Sequence, residues 1–154
     1  LEVPAKEFIF GSIFLLANKL QLLGDAVLEE ITLKQWFLLA MIHSMENKSP
    51  SVSETAEYIG SSRQNVRKML DTLAAKGYVS LAVSDADKRN LSISLTAQTE
   101  QFFTRFEAKG AAFLEELFEG VEEESLDHTQ VTFARLFQNL IRLGEAYGKD
   151  RCHL

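Results

Sequence analysis

Apolar positions recur every three to four residues along most of this chain, and the recurrence switches to strict alternation only after Gly77. The first periodic segment spans residues 4–28, opens at Pro4, and sets Phe10, Ile13, Phe14, Ala17, Leu20 and Leu23 at helical spacing. Apolar positions cover most of its circumference, so this helix is expected to pack on several sides, a second subunit included. In "TLKQWFLLAMI", Thr32 is placed to cap a second helix, with Gln35 completing a capping box. "ENKSPS" then breaks the chain before a short helix over residues 53–59, which Gly60 ends. Ser62 is the expected N-cap of the next helix, residues 63–76, and Gly77 its terminator.

The alternating stretches are "YVSLAV" and "LSISL", in which Val79, Leu81 and Val83 face one way and Leu91, Ile93 and Leu95 do the same on a partner strand. The polar "SDADKRN" between them makes this a β-hairpin with a charged tip. Helical periodicity then returns. Thr96 is expected to cap a long helix reaching about residue 118, and "EGVEEES" separates it from a last helix over about 124–148, carrying Phe133, Leu136, Phe137, Leu140, Ile141 and Leu143. The fold class expected is mainly α with a small β-hairpin.

Composition narrows this picture. With 154 residues, 46% hydrophobic and 25% charged, the chain suits one domain, 1–154, with no internal repeat. Asn18, Lys19 and Gln21 interrupt the first helix before it reaches the ~20 apolar residues of a bilayer span, so no membrane partner is expected. The pattern of a secretion signal is absent. One cysteine, Cys152, cannot form an intrachain disulfide, which suits a reducing cytoplasm and reads as an exposed tail thiol. His43, His128 and His153 show no ligand spacing with it, so neither a metal nor a cofactor is expected. Without a phosphate-cradling glycine loop, serine elbow or HExxH, no catalytic residue is assigned and the chain is not read as an enzyme.

Charge is segregated. The formal net charge is −6, yet residues 61–90 hold six basic and three acidic side chains, a net +3, while the other 124 residues hold ten basic and nineteen acidic, a net −9. No glutamate occurs between Glu57 and Glu100. The basic segment includes "ETAEYIGSSRQNVRKML", in which Ala56, Gly60 and Val66 have the spacing of a helix-turn-helix: a small residue at the crossing, a glycine in the turn, a branched residue packing the second helix on the first. Val66, Met69, Leu70 and Leu73 form the apolar stripe of the second helix. Gln64, Lys68 and Asp71 then point away from it, with Asn65 and Arg67 flanking, Arg63 on the border and Ser62 at the positive end of the helix dipole. Such a face suits double-stranded DNA: Gln64, Asn65 and Arg67 for base edges, Ser62, Arg63 and Lys68 for the backbone. Lys88 and Arg89 at the hairpin tip suit a neighbouring groove, with Asp87 positioned to hold Arg89. The rival reading is a winged-helix protein-interaction module that does not bind DNA, its acidic remainder repelling the duplex.

"KMLDTLAAKGYV", "DKRNLSISLT" and "ITLKQWFLL" together resemble the MarR family of bacterial transcription regulators, whose aspartate-x-arginine wing motif falls at Asp87 and Arg89. The resemblance implies a winged helix-turn-helix over 31–96, flanked by long N- and C-terminal dimerisation helices at 4–28 and 97–148. It further implies a cytoplasmic homodimer that presents two recognition helices to half-sites ~10 bp apart in a pseudo-palindromic operator, more often as a repressor. Members often bind small aromatic or lipophilic effectors, and Phe14, Trp36, Phe37 and His43 are the candidates by position to line such a pocket. Thr99 departs from the family, which often has glycine there.

Overall fold

The computed structural model describes residues 3–83 and 91–150, the last three by their backbone alone. Six helices and one hairpin follow in the order α1 (Ala5–Leu28), α2 (Leu33–Ser44), α3 (Val52–Ile59), α4 (Arg63–Ala75), β1 (Val79–Val83), β2 (Leu91–Leu95), α5 (Ala97–Leu117) and α6 (Glu123–Asp150). The chain divides into two compact units, Leu1–Glu107 and Ala108–Leu154. The expected mainly α architecture with a small hairpin is present, and the element ends fall within two residues of those read from the sequence.

Local chemistry explains the boundaries. Thr32 Oγ1 accepts from Gln35 N at 3.2 Å while Gln35 Oε1 accepts from Thr32 N at 3.1 Å, so the expected capping box of α2 is formed. Asp25 Oδ1, near the end of α1, accepts from Leu33 N at 2.6 Å and satisfies a further donor at the start of α2. The two helices approach closely at this corner: a Cβ on Gly24 would lie 2.8 Å from both terminal carbons of Leu33. A second capping box, not read from the sequence, opens α3. Ser51 Oγ accepts from Glu54 N at 3.2 Å, and Glu54 Oε2 accepts from Ser51 N at 2.7 Å.

The core of the first unit is built where the apolar stripes converge. Leu38, Leu39 and Ile42 of α2, Ala56 of α3, Val66, Leu70 and Leu73 of α4, Ile93 of β2 and Phe102 of α5 are all buried. At roughly 1.5–3 kcal/mol for each fully buried large aliphatic or aromatic side chain, this cluster dominates the stability of the lobe. The strands pair antiparallel with Val79 opposite Leu95, Leu81 opposite Ile93 and Val83 opposite Leu91, the alternation expected. Burial fades outward along β1, from Val79 at 4% exposed to Val83 at 58%. The middle of β2 is tied to the segment before α3, where Ile93 N donates to Pro50 O at 2.9 Å.

Two threonines join the hairpin to α5. Thr96 precedes α5 as expected, but its hydroxyl donates to the Gly77 and Tyr78 carbonyls at 2.7 and 3.1 Å instead of turning to the helix. Thr99, the departure from the family pattern, is fully buried and its hydroxyl donates to the Tyr78 carbonyl. A hydroxyl there satisfies a buried acceptor that glycine would leave to another group.

Candidate nucleic-acid interface

The helix-turn-helix is shaped by one residue. Gly60 closes α3 in the left-handed region at φ 67°, ψ 37°, where a Cβ is disfavoured. Ser61 N donates back to Ala56 O at 2.9 Å, reversing the chain within three residues. Ser62 then caps α4, its hydroxyl oxygen accepting from Asn65 N at 3.2 Å. Val66, Leu70 and Leu73 are fully buried and Met69 half-buried, so the apolar stripe read from the sequence is the face that seats α4 on the lobe.

Anchoring that face turns the other outward. Ser62, Arg63, Gln64, Asn65, Arg67, Lys68 and Asp71 are all exposed. Arg63, Gln64 and Lys68 make no side-chain hydrogen bond or ion pair among the described residues. Asn65 Nδ2 donates to Ser61 Oγ at 3.0 Å, committing one amide hydrogen to the turn. Arg67 Nε donates to Asp71 Oδ1 at 2.8 Å, a pair that i,i+4 spacing makes legible but that the sequence reading left unpaired. The arrangement joins three cations, the positive end of a helix dipole and two amide side chains on one solvent face. Asp87, Lys88 and Arg89 lie outside the described residues, as do Cys152 and His153.

The MarR family model matches residues 30–90. The transcriptional repressor MprA of Escherichia coli strain K12 is 36% identical over 64 residues, which is 42% of this chain and 36% of that protein. The chain therefore aligns with only about a third of its curated relative. The MarR/EmrR family transcriptional regulator from Acinetobacter sp. ADP1 superposes with a TM-score of 0.76 at 20% identity, covering 91% of this chain and 99% of that one. Over residues 30–90 the chain is similar to the MarR family, and its fold is that of MarR winged-helix structures. The S. aureus MepR protein, solved as a DNA complex, superposes with a TM-score of 0.75 at 18% identity, covering 90% and 99% of the two chains. A MarR regulator from Methanosarcina mazei Go1 gives 0.79 at 17% identity, covering 89% and 99%. At these identities the structural likeness establishes the MarR fold.

The expected effector-lining residues are placed apart in character. Phe14 is exposed on α1, with its ring edge-on to Phe10 at 5.2 Å. Trp36 is half-buried against the core and Phe37 is exposed on α2. His43 is exposed, with Nδ1 3.5 Å from Glu100 Oε1 and its ring edge-on to Phe103 at 5.6 Å. No ring contact joins Phe14 to the other three among the described residues.

A second polar cluster lay beyond sequence reasoning. Glu30, between α1 and α2, accepts from Tyr78 Oη at 2.7 Å and from Arg105 Nη2 at 3.0 and 3.2 Å, while its backbone carbonyl accepts from Lys76 Nζ at 2.7 Å. One residue thus ties together the end of α1, the end of α4, the start of the hairpin and α5. Burial, with the adjacent Glu30 carboxylate adding to it, pushes the Tyr78 hydroxyl above its ordinary pKa.

Proposed function

We propose that the protein is a sequence-specific DNA-binding transcription regulator acting as a cytoplasmic homodimer on a pseudo-palindromic operator. The observation that carries this reading is the outward face of α4, where a Ser62-capped helix N-terminus, Arg63, Gln64, Arg67 and Lys68 stand exposed together. Gln64, Asn65 and Arg67 read bases, Ser62, Arg63 and Lys68 hold phosphates, and Asp87, Lys88 and Arg89, assigned from the sequence, extend the contact from the wing. Repression is favoured by the likeness to MprA, itself named a repressor.

Dimerisation is supported by apolar surface that a lone chain leaves wet. On α1, Phe8, Phe10, Phe14 and Leu15 are each 59–66% exposed, and on α6, Phe137, Leu140, Ile141 and Tyr147 are each 63–69% exposed. Contiguous apolar patches of this kind mark interfaces. α1 also has the length and composition of a membrane-crossing helix. A second copy of the chain accounts for both terminal helices, whereas a bilayer would account for α1 alone. A small aromatic or lipophilic effector, bound near Phe14, Trp36, Phe37 and His43, would release the DNA by shifting the lobe between two states of different operator affinity.

The decisive experiment selects bound duplexes from a random pool and measures affinity across a salt series. A regulator enriches a two-fold symmetric site and loses affinity steeply as salt rises. Absence of any salt-sensitive binding would sink this reading and favour the protein-interaction module. Sedimentation of the free chain as a monomer at micromolar concentration would remove the homodimer.

A further inference from the structure

The outward face of α4 contains one carboxylate, and its placement is selective. Asp71 Oδ1 accepts from Arg67 Nε at 2.8 Å, with the two side chains about half exposed at 53% and 49%. Arginine presents two flat edges for paired hydrogen bonds, one made by Nε with a terminal nitrogen, the other by the two terminal nitrogens. Asp71 engages the first edge through Nε alone. The two terminal nitrogens of Arg67 make no hydrogen bond among the described residues and form the edge that matches the O6 and N7 acceptors of guanine.

The same carboxylate acts on the phosphates. Arg63, Arg67 and Lys68 favour any duplex whatever its sequence, because the backbone is uniformly anionic. Asp71, one turn beyond Arg67, opposes that attraction without removing any cation. Its effect on non-specific binding is repulsive; its effect on a correct site is offset by the orientation it imposes on Arg67. An exposed i,i+4 pair contributes little to folding, so this pair's main consequence is at the interface.

We propose that Asp71 is a positioning residue that sets base specificity: it holds Arg67 for end-on contact with one guanine per half-site and penalises sequence-independent binding. The proposal rests on the DNA-binding reading above. Its test uses the full chain, the duplex selected by the unsubstituted protein, and an unrelated duplex of equal length. Asp71→Asn is expected to strengthen binding to the unrelated duplex roughly three- to tenfold at low salt, since one repulsive charge is gone. The ratio of selected to unrelated affinity should fall about tenfold, the discrimination carried by one oriented arginine–guanine pair.

Selection repeated with Asp71→Asn should relax the preference at the same guanine that Arg67→Ala relaxes. Asp71→Glu, which keeps a carboxylate within reach of Arg67, should restore it, a rescue that a merely structural role would not produce. An affinity ratio unchanged within about twofold in Asp71→Asn, or an unrelaxed base preference, overturns the proposal while leaving the regulator reading intact. Failure of the unsubstituted protein to bind either duplex overturns both.

Discussion

Tyr78 donates its hydroxyl to Glu30 Oε2 at 2.7 Å across 48 residues of chain, and Arg105 closes on the same carboxylate from α5. The junction between α1 and α2 is thereby fixed to the point where α4 gives way to the hairpin. Tyr78→Phe removes the hydroxyl and keeps the ring that meets Phe102 edge-on at 5.5 Å. A loss of about 1 kcal/mol is expected, one net hydrogen bond, measured by denaturant unfolding.

The same contact has a pH signature. Folding raises the Tyr78 pKa above its ordinary value of 10.0, chiefly through burial and then through Glu30. The stability it contributes is therefore complete below pH 10 and is lost as pH rises through the folded-state value. Unfolding midpoints should fall above pH 10 in the native chain, and fall less in Tyr78→Phe. Equal alkaline slopes would show that Tyr78 does not carry the effect.

The cap of α3 titrates at the other end of the scale. The Ser51 backbone N–H, then its hydroxyl, hold Glu54 below its ordinary 4.5, so the cap is intact above that pH and weakens as pH falls through the lower folded-state value. Ser51→Ala should cost about 1 kcal/mol, and Glu54→Gln, which keeps a hydrogen-bonding side chain at the third helical position, should cost less. Thermal melts of the two variants at neutral pH rank them.

Gly60 holds the left-handed position in the turn. A methyl group there meets nothing within 4 Å, yet the backbone sits at φ +67°. Gly60→Ala should destabilise the lobe by about 1 kcal/mol through backbone strain alone. Because the turn aims α4, operator affinity should fall as well. Gly60→Asn, better tolerated in this region, should lose less of both.

Leu70 and Lys68 separate stability from binding on one helix. Leu70 is fully buried, and Leu70→Ala should cost about 2–5 kcal/mol. Lys68 is exposed without a side-chain partner among the described residues. Lys68→Ala should leave the melting temperature nearly unchanged and reduce the salt slope of DNA binding by about one per half-site. A lowered melting temperature with an unchanged salt slope would place Lys68 in the fold and not on the backbone of DNA.

What was legible in the sequence was local. The Thr32–Gln35 box, the Ser62 cap and the left-handed Gly60 each depend on atoms within four or five residues, and helical geometry places those atoms wherever the helix forms. The outward face of α4 followed from the same periodicity, because a buried Val66, Leu70 and Leu73 leave the remaining positions nowhere else to point. Which strand residues share a face followed from alternation, whereas the register that sets Leu81 opposite Ile93 came from the structure. Only the tertiary structure decided the partners of Glu30, which stand 46, 48 and 75 residues away in sequence, and the tasks of Thr96 and Thr99 on the Gly77 and Tyr78 carbonyls. Those contacts carry no periodicity. They exist because packing of apolar faces brings distant polar groups within hydrogen-bond reach, and a buried or half-buried polar group then takes whichever partner the packing supplies.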